Sequence, residues 1–121
     1  MNKNGLKGDV YNIMILEFKN NKIKKECENP KKAQQAYGEN MKEKLLLRIN
    51  QLRSSDTLED VSYIPAARLH RLKGNRSHQY AVDLVHPFRL VFAPKCDAAD
   101  LNKLNSIEIV KIEEVVDYHG N

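Results

Sequence analysis

Nine residues in the middle of the chain, Arg68-Leu69-His70-Arg71-Leu72-Lys73-Gly74-Asn75-Arg76, carry three arginines, a histidine and a lysine, and the chain runs out through Val116-Asp117-Tyr118-His119. Arginine and lysine clamp phosphate through charge-assisted hydrogen bonds. Histidine, aspartate and tyrosine move protons. Brought together, such groups are the parts of an RNA-cleaving site: an acid, a base, and positive charge where the transition state gathers negative charge.

Each group also has a plainer reading. Gly74 permits a tight turn, and Lys73 and Arg76 put two cations at its tip. They would hold a phosphate there, or simply face solvent. Arg89 sits between Phe88 and Leu90 in a strand-like run, so its side chain should emerge opposite the apolar face. A rigid strand is a good platform for a transition-state clamp; an outward-facing surface arginine has the same pattern. His70 shares strand parity with Arg68 and Leu72 and is expected on the Arg68 side, although a lone histidine is more often structural. His119 ends a β-rich run that would carry it back across a sheet toward Arg89 and His70. Parity puts Asp117 and His119 on one side of that run and Tyr118 on the other, and does not say which of them faces the site. His78 and His86 fall in turns and receive no role.

The charge distribution agrees with an anionic partner. The 121 residues carry a net charge of +4 with a pI near 9.1. Between residues 61 and 96, Arg68, Arg71, Lys73, Arg76, Arg89 and Lys95 stand against the single acid Asp83. That local excess exceeds the charge of the whole chain and favours nucleic acid, though a solvated basic surface looks the same. Hydrophobic residues at 41% and charged ones at 30% describe a soluble globular chain,. The length suggests one domain over residues 1–121, with a polar, loose arm at 1–12. Cys27 and Cys96 have no disulfide or zinc spacing and are expected as free thiols in a reducing cytoplasm. No apolar run approaches the roughly 18 residues that a membrane span needs. There is no metal-ligand spacing, no P-loop, no dinucleotide fingerprint and no nucleophile elbow. No cofactor is expected, and metal-free phosphodiester chemistry is the enzymatic option that remains.

The elements that must position these groups are legible in outline. Residues 13–18 read as a strand and residues 19–29 as a short helix. From Pro30, the residues Ala33, Tyr37, Met41, Leu45, Ile49 and Leu52 form one apolar helical stripe, with Gly38 and Asn40 weak enough to split it in two. Residues 57–60 look like a short capped turn. Strands are expected near residues 68–72, 79–85 and 88–93, with His86-Pro87 as a tight connection. After a polar excursion over 94–104, a last strand starts at 107 and continues towards Val116. The order is α+β, with helices packed on a small sheet.

The same residues carry a family resemblance. The basic segment 68–76, then Gln79-Tyr80-Ala81-Val82, then Phe88-Arg89-Leu90-Val91-Phe92, then the Asp117-Tyr118-His119 ending resemble, in order, the pattern of HigB-type toxins in the RelE/ParE superfamily of toxin–antitoxin systems. The resemblance covers roughly residues 41–119. It implies a RelE-like fold, an N-terminal strand and two helices on a small antiparallel sheet. It implies ribosome-dependent mRNA cleavage by attack of the RNA 2′-hydroxyl, without a metal. The implied partners are the ribosome, mRNA and a cognate antitoxin of the HigA-like helix-turn-helix type. His70, Arg89, Asp117, Tyr118 and His119 would be catalytic, and Arg68, Lys73 and Arg76 would bind RNA or phosphate. Arg71 stands where many members have proline. Two other readings stay open: a ParE-like toxin that binds DNA gyrase, and an inactive basic domain that binds RNA or a partner.

Overall fold

The computed structural model describes residues 13–118. The expected arm at 1–12 lies outside them, as does His119. Helices are set by local caps. Asn20 accepts a hydrogen bond from Ile23 N at 3.0 Å and starts α1, Asn21–Glu28,. Asn29 ends α1 and caps α2, Pro30–Tyr37, accepting from Lys31 N and Lys32 N, with Pro30 in the first turn,. Gly38 at φ 86 then breaks the stripe, a backbone region open to glycine,. The next helix is α3, Glu39–Ser54, followed by α4, Leu58–Ser62. The expected turn at 57–60 is thus a helix, and Thr57 makes no side-chain cap bond.

The strands are β1 (Ile15–Phe18), β2 (His70–Arg71), β3 (Tyr80–Asp83), β4 (Phe88–Pro94) and β5 (Ile109–Asp117). They form one sheet in the order β1-β5-β4-β3-β2. Strands β2 to β5 pair antiparallel, as expected, but β1 joins β5 parallel, with Ile15 opposite Ile109. The sheet is therefore mixed: no hairpin ties β1 to β5, and the intervening helices and strands bring them side by side with the same sense.

One face of the sheet carries the helices. Met41, Leu45, Ile49 and Leu52 of α3 are buried with Tyr80, Val82, Leu90, Phe92, Val110 and Ile112. Full burial of a leucine such as Leu45 contributes about 1.5–3 kcal/mol. The polar excursion is fastened at its far end, where the Tyr80 hydroxyl donates to Leu101 O at 2.7 Å. The opposite face is the one that matters for chemistry. Register sets two rows across it: His70, Ala81, Val91 and Glu114, then Asp83, Arg89 and Val116.

One irregularity decides who belongs to that face. Val91 pairs with Glu114 but Phe92 pairs with Ile112, so β5 holds one more residue than β4, at Glu113. This β-bulge inverts the in–out alternation of β5 beyond it. Val115 joins the core opposite Leu90, and Val116 faces the open side with Arg89. Tyr118 inherits the parity of Val116.

Candidate active site

Arg89 is at the centre of the open face. Its Nη1 lies 3.5 Å from His70 Nε2, and its Nε lies 3.6 Å from Asp83 Oδ1. Its guanidinium carbon lies 4.5 Å from the centroid of the Tyr118 ring, a cation–π contact,. Among the described residues it makes no shorter hydrogen bond. The Tyr118 backbone N–H donates to Pro87 O at 3.1 Å, which folds the end of β5 against the β3–β4 connection. The Tyr118 hydroxyl is buried and has no hydrogen-bond partner among the described residues. A buried, unpaired hydroxyl costs about 1–3 kcal/mol, and in a native protein it asks for an explanation.

His70 is held on its other side. Nδ1 lies 2.8 Å from Arg68 O. Arg68 itself is not in β2, contrary to the expected strand from 68. It has φ 46, the left-handed region, which strains a non-glycine residue by about 1–2 kcal/mol,. The parity argument for His70 and Arg68 therefore fails; they meet through the turn instead. The Arg68 guanidinium forks onto Asp83, Nε to Oδ2 at 2.8 Å and Nη2 to Oδ1 at 3.3 Å, and that carboxylate raises the Arg68 pKa. Asp83 thus serves two arginines at once.

The other cations are placed unequally. Lys73 is exposed at the start of the turn Gly74–Arg76, with no ion-pair partner among the described residues. Gly74, at φ 66, makes that turn possible. Arg76 reaches back over the sheet: Nη2 donates to Glu114 on β5 at 2.5 Å and Nε to Gln79, just before β3, at 2.7 Å. It therefore spans β4 above the small, fully buried pair Ala81 and Val91. Arg71 is spent on structure, donating to Ser77 O and to Asn102 Oδ1. In the position noted for proline, it pins the basic turn to the excursion.

The geometry brings His70, Arg89 and Tyr118 together, with Arg68 beside them and Arg76 above the adjoining row. Asp117 pairs with Phe88 at the end of β5, and register turns it to the side away from Arg89. Three contributors were missed. Asp83 had a signal, as the single acid in a stretch of six cations. Arg48 had one too, since position 48 falls within the α3 stripe at helical spacing from Leu45 and Leu52. Burial lowers its pKa while the charge of Asp83 opposes the shift. Glu114 had no signal, because its facing depends on the bulge.

Among the described residues, no group of three or more His, Cys, Asp or Glu side chains is placed to hold a metal, and no helix is long and apolar enough to cross a membrane. Neither a curated protein nor a solved structure matches the chain. A family model does: the HigB-like toxin, described as the RelE-like toxin of the type II toxin–antitoxin system HigB, matches residues 14–115, ending just before Asp117 and Tyr118. That match covers β1 through most of β5, the helices and the basic turn, and the α+β sheet agrees with a RelE-like fold, so the chain belongs to the HigB-like family of type II toxins.

Proposed function

We propose that this toxin is a ribosome-dependent mRNA endonuclease. The observation that carries the reading is Arg89, set between the imidazole of His70 and the ring of Tyr118 on the open face of a rigid sheet. In the proposed reaction the RNA 2′-hydroxyl attacks the adjacent phosphorus, and the P–O5′ bond breaks. The products are a 2′,3′-cyclic phosphate and a 5′-hydroxyl end. His70 Nε2 takes the 2′-hydroxyl proton, and Arg89 neutralises charge on the phosphorane. The leaving 5′-oxygen needs a proton. Tyr118 supplies it or orients the base, its buried hydroxyl finding in the substrate the partner it lacks among the described residues. His119 is the alternative acid, and Asp117 acts through it as a positioning residue. Lys73 meets the backbone phosphates, joined by Arg76 once it leaves Glu114.

A type II toxin has a cognate antitoxin; a HigA-like helix-turn-helix protein is the proposed one, with the ribosome and mRNA in the cytoplasm as the targets. The test is inducible expression, with mRNA 5′ ends mapped while translation is running or blocked. Cuts inside reading frames that disappear when translation stops support the proposal. Growth arrest with intact mRNA, and inhibited gyrase, would replace it with the ParE-like reading. RNA bound but never cut would leave an inactive binding domain.

A further inference from the structure

The hydrogen bond on the far side of the His70 ring fixes more than its orientation. A backbone carbonyl only accepts, so the 2.8 Å contact between His70 Nδ1 and Arg68 O puts a proton on Nδ1,. In the neutral ring the lone pair is then on Nε2, the nitrogen that faces Arg89. The Arg68 carbonyl can point there because Arg68 is left-handed, a conformation that persists in a non-glycine residue when its surroundings enforce it,. Those surroundings form a continuous series of contacts. Arg48, buried in α3, donates to Asp83 O at 2.7 Å and to Ala66 O at 2.8 Å. Asp83 holds the Arg68 guanidinium by two hydrogen bonds, and Arg68 N donates to Pro65 O at 3.1 Å. The backbone is thus tied down on both sides of the strained residue.

We infer that Arg68 and Asp83 are positioning residues, whose ion pair holds Arg68 left-handed so that its carbonyl locks His70 as the Nδ1–H tautomer, with Nε2 as the proton acceptor of the site. This deepens the proposed cleavage reaction and rests on that reading for its catalytic meaning. It also gives Arg68 a task other than the RNA contact expected from sequence. The Nε–Nη2 edge of the Arg68 guanidinium is committed to Asp83, and it is the backbone carbonyl that meets the imidazole.

The tautomer is read directly from imidazole nitrogen shifts and couplings in a ¹⁵N-labelled sample at about pH 8, where histidine is neutral, with His70→Gln assigning the signal. The intact protein should give the Nδ1–H pattern at His70. Arg68→Val cannot hold the left-handed turn, and Asp83→Asn releases the guanidinium; both should give a tautomer mixture. Arg68→Gly adopts the turn without help and should keep the Nδ1–H form. In cleavage, Arg68→Val and Asp83→Asn should lower kcat roughly 10–100-fold, the range for outer groups that orient a working histidine, with KM little changed and Arg68→Gly losing less. A proton on Nε2 in the intact protein overturns the inference, as does one tautomer throughout or equal loss in the glycine and valine variants. A parallel rise in KM in all three would return Arg68 to RNA binding. Should the protein cut no RNA, the cleavage reading falls while the tautomer measurement still decides this one.

Discussion

The Arg89 guanidinium carbon lies 4.5 Å from the centre of the Tyr118 ring because β5 carries one residue more than β4. Were the same residues to alternate regularly from Ile112 with no bulge at Glu113, Tyr118 would turn toward the helices,. The bulge puts it over Arg89 instead, and buries its hydroxyl without a partner among the described residues. This pairing separates stability from activity. Tyr118→Phe keeps the ring on Arg89 and removes an unsatisfied hydroxyl, so the variant should melt no lower than the parent and gain up to about 1–3 kcal/mol. Cleavage should nevertheless fall. Tyr118→Ala should lose cleavage and also the cation–π contact, about 0.5–1 kcal/mol at a part-exposed site. Thermal melts beside a cleavage assay check both; a Tyr118→Phe variant that is less stable yet fully active would contradict the assignment.

The bulge makes a second expectation. Glu113 and Glu114 are adjacent, so deleting either leaves one glutamate opposite Val91 and a regular strand on both sides of it. Tyr118 keeps its facing. The single-glutamate chain should fold and retain cleavage, whereas inserting one alanine after Glu114 should send Val115 outward and Tyr118 to the wrong side. Circular dichroism and toxicity of the two variants decide it; loss of fold in the deletion would show that the local twist, not the count of residues, is what β5 needs.

Arg76 and Glu114 form an internal ion pair, with side chains 35% and 46% exposed. Such half-exposed pairs add little stability, so Glu114 acts mainly by occupying a cation that could meet phosphate. Glu114→Gln should leave the melting temperature nearly unchanged and tighten binding to single-stranded RNA. The salt dependence of binding should steepen by about one phosphate contact. Lys73→Gln should shift it the other way. Filter binding across a salt series measures both, and an unchanged slope in Glu114→Gln would mean Arg76 stays in place as structure.

How far the chain could be read follows from what period and spacing encode. The stripe from Ala33 to Leu52 is a local pattern, and every residue in it packs into the core. Its split at Gly38 is equally local, a backbone angle that other residues avoid. Arg89 was legible as the residue facing away from Phe88 and Leu90, because β4 alternates regularly. Tyr118 was not, since its facing is inherited through a bulge that no local pattern announces. Arg68 looked like part of a strand, and its left-handed turn arises from contacts with Asp83, fifteen positions on. The parallel edge at β1 pairs residues about ninety positions apart, beyond any short-range signal.

Arg48 is where the core and the site share an anchor. It is 3% exposed, and its guanidinium serves the carbonyls of Asp83 and Ala66 and the Gln51 side chain. Arg48→Leu would leave two carbonyls without that donor, at about 1–3 kcal/mol each. A loss of roughly 2–6 kcal/mol is expected by urea unfolding. Arg48→Lys keeps the charge but lacks the planar fork, and should fall between the two. A leucine variant as stable as the parent would show that water or local rearrangement replaces the guanidinium.

Cys27 gives a prediction with a sign. The thiol is buried, and its pKa is pushed up to about 12, first by burial and then by Glu26 and Glu28, with Arg53 opposing. The folded thiol holds its proton more tightly than the unfolded one, whose ordinary value is 9.0. Its contribution to stability is therefore fully present below pH 9 and is lost as pH rises through 9 toward 12, when the unfolded chain ionises and the folded one does not,. Cys27→Ala has no such group, so the stability difference between parent and variant should narrow across that window. Tyr37, whose pKa is also raised by burial and by its hydrogen bond to Glu26, is common to both proteins and cancels in the difference except for the last of its causes, the charge of Cys27 itself. Urea unfolding of the pair at neutral and at alkaline pH measures the narrowing; two parallel pH profiles would place the Cys27 thiol in contact with solvent. Thiol labelling of the native protein gives an independent reading, since the half-buried Cys96 should react while Cys27 waits for unfolding,.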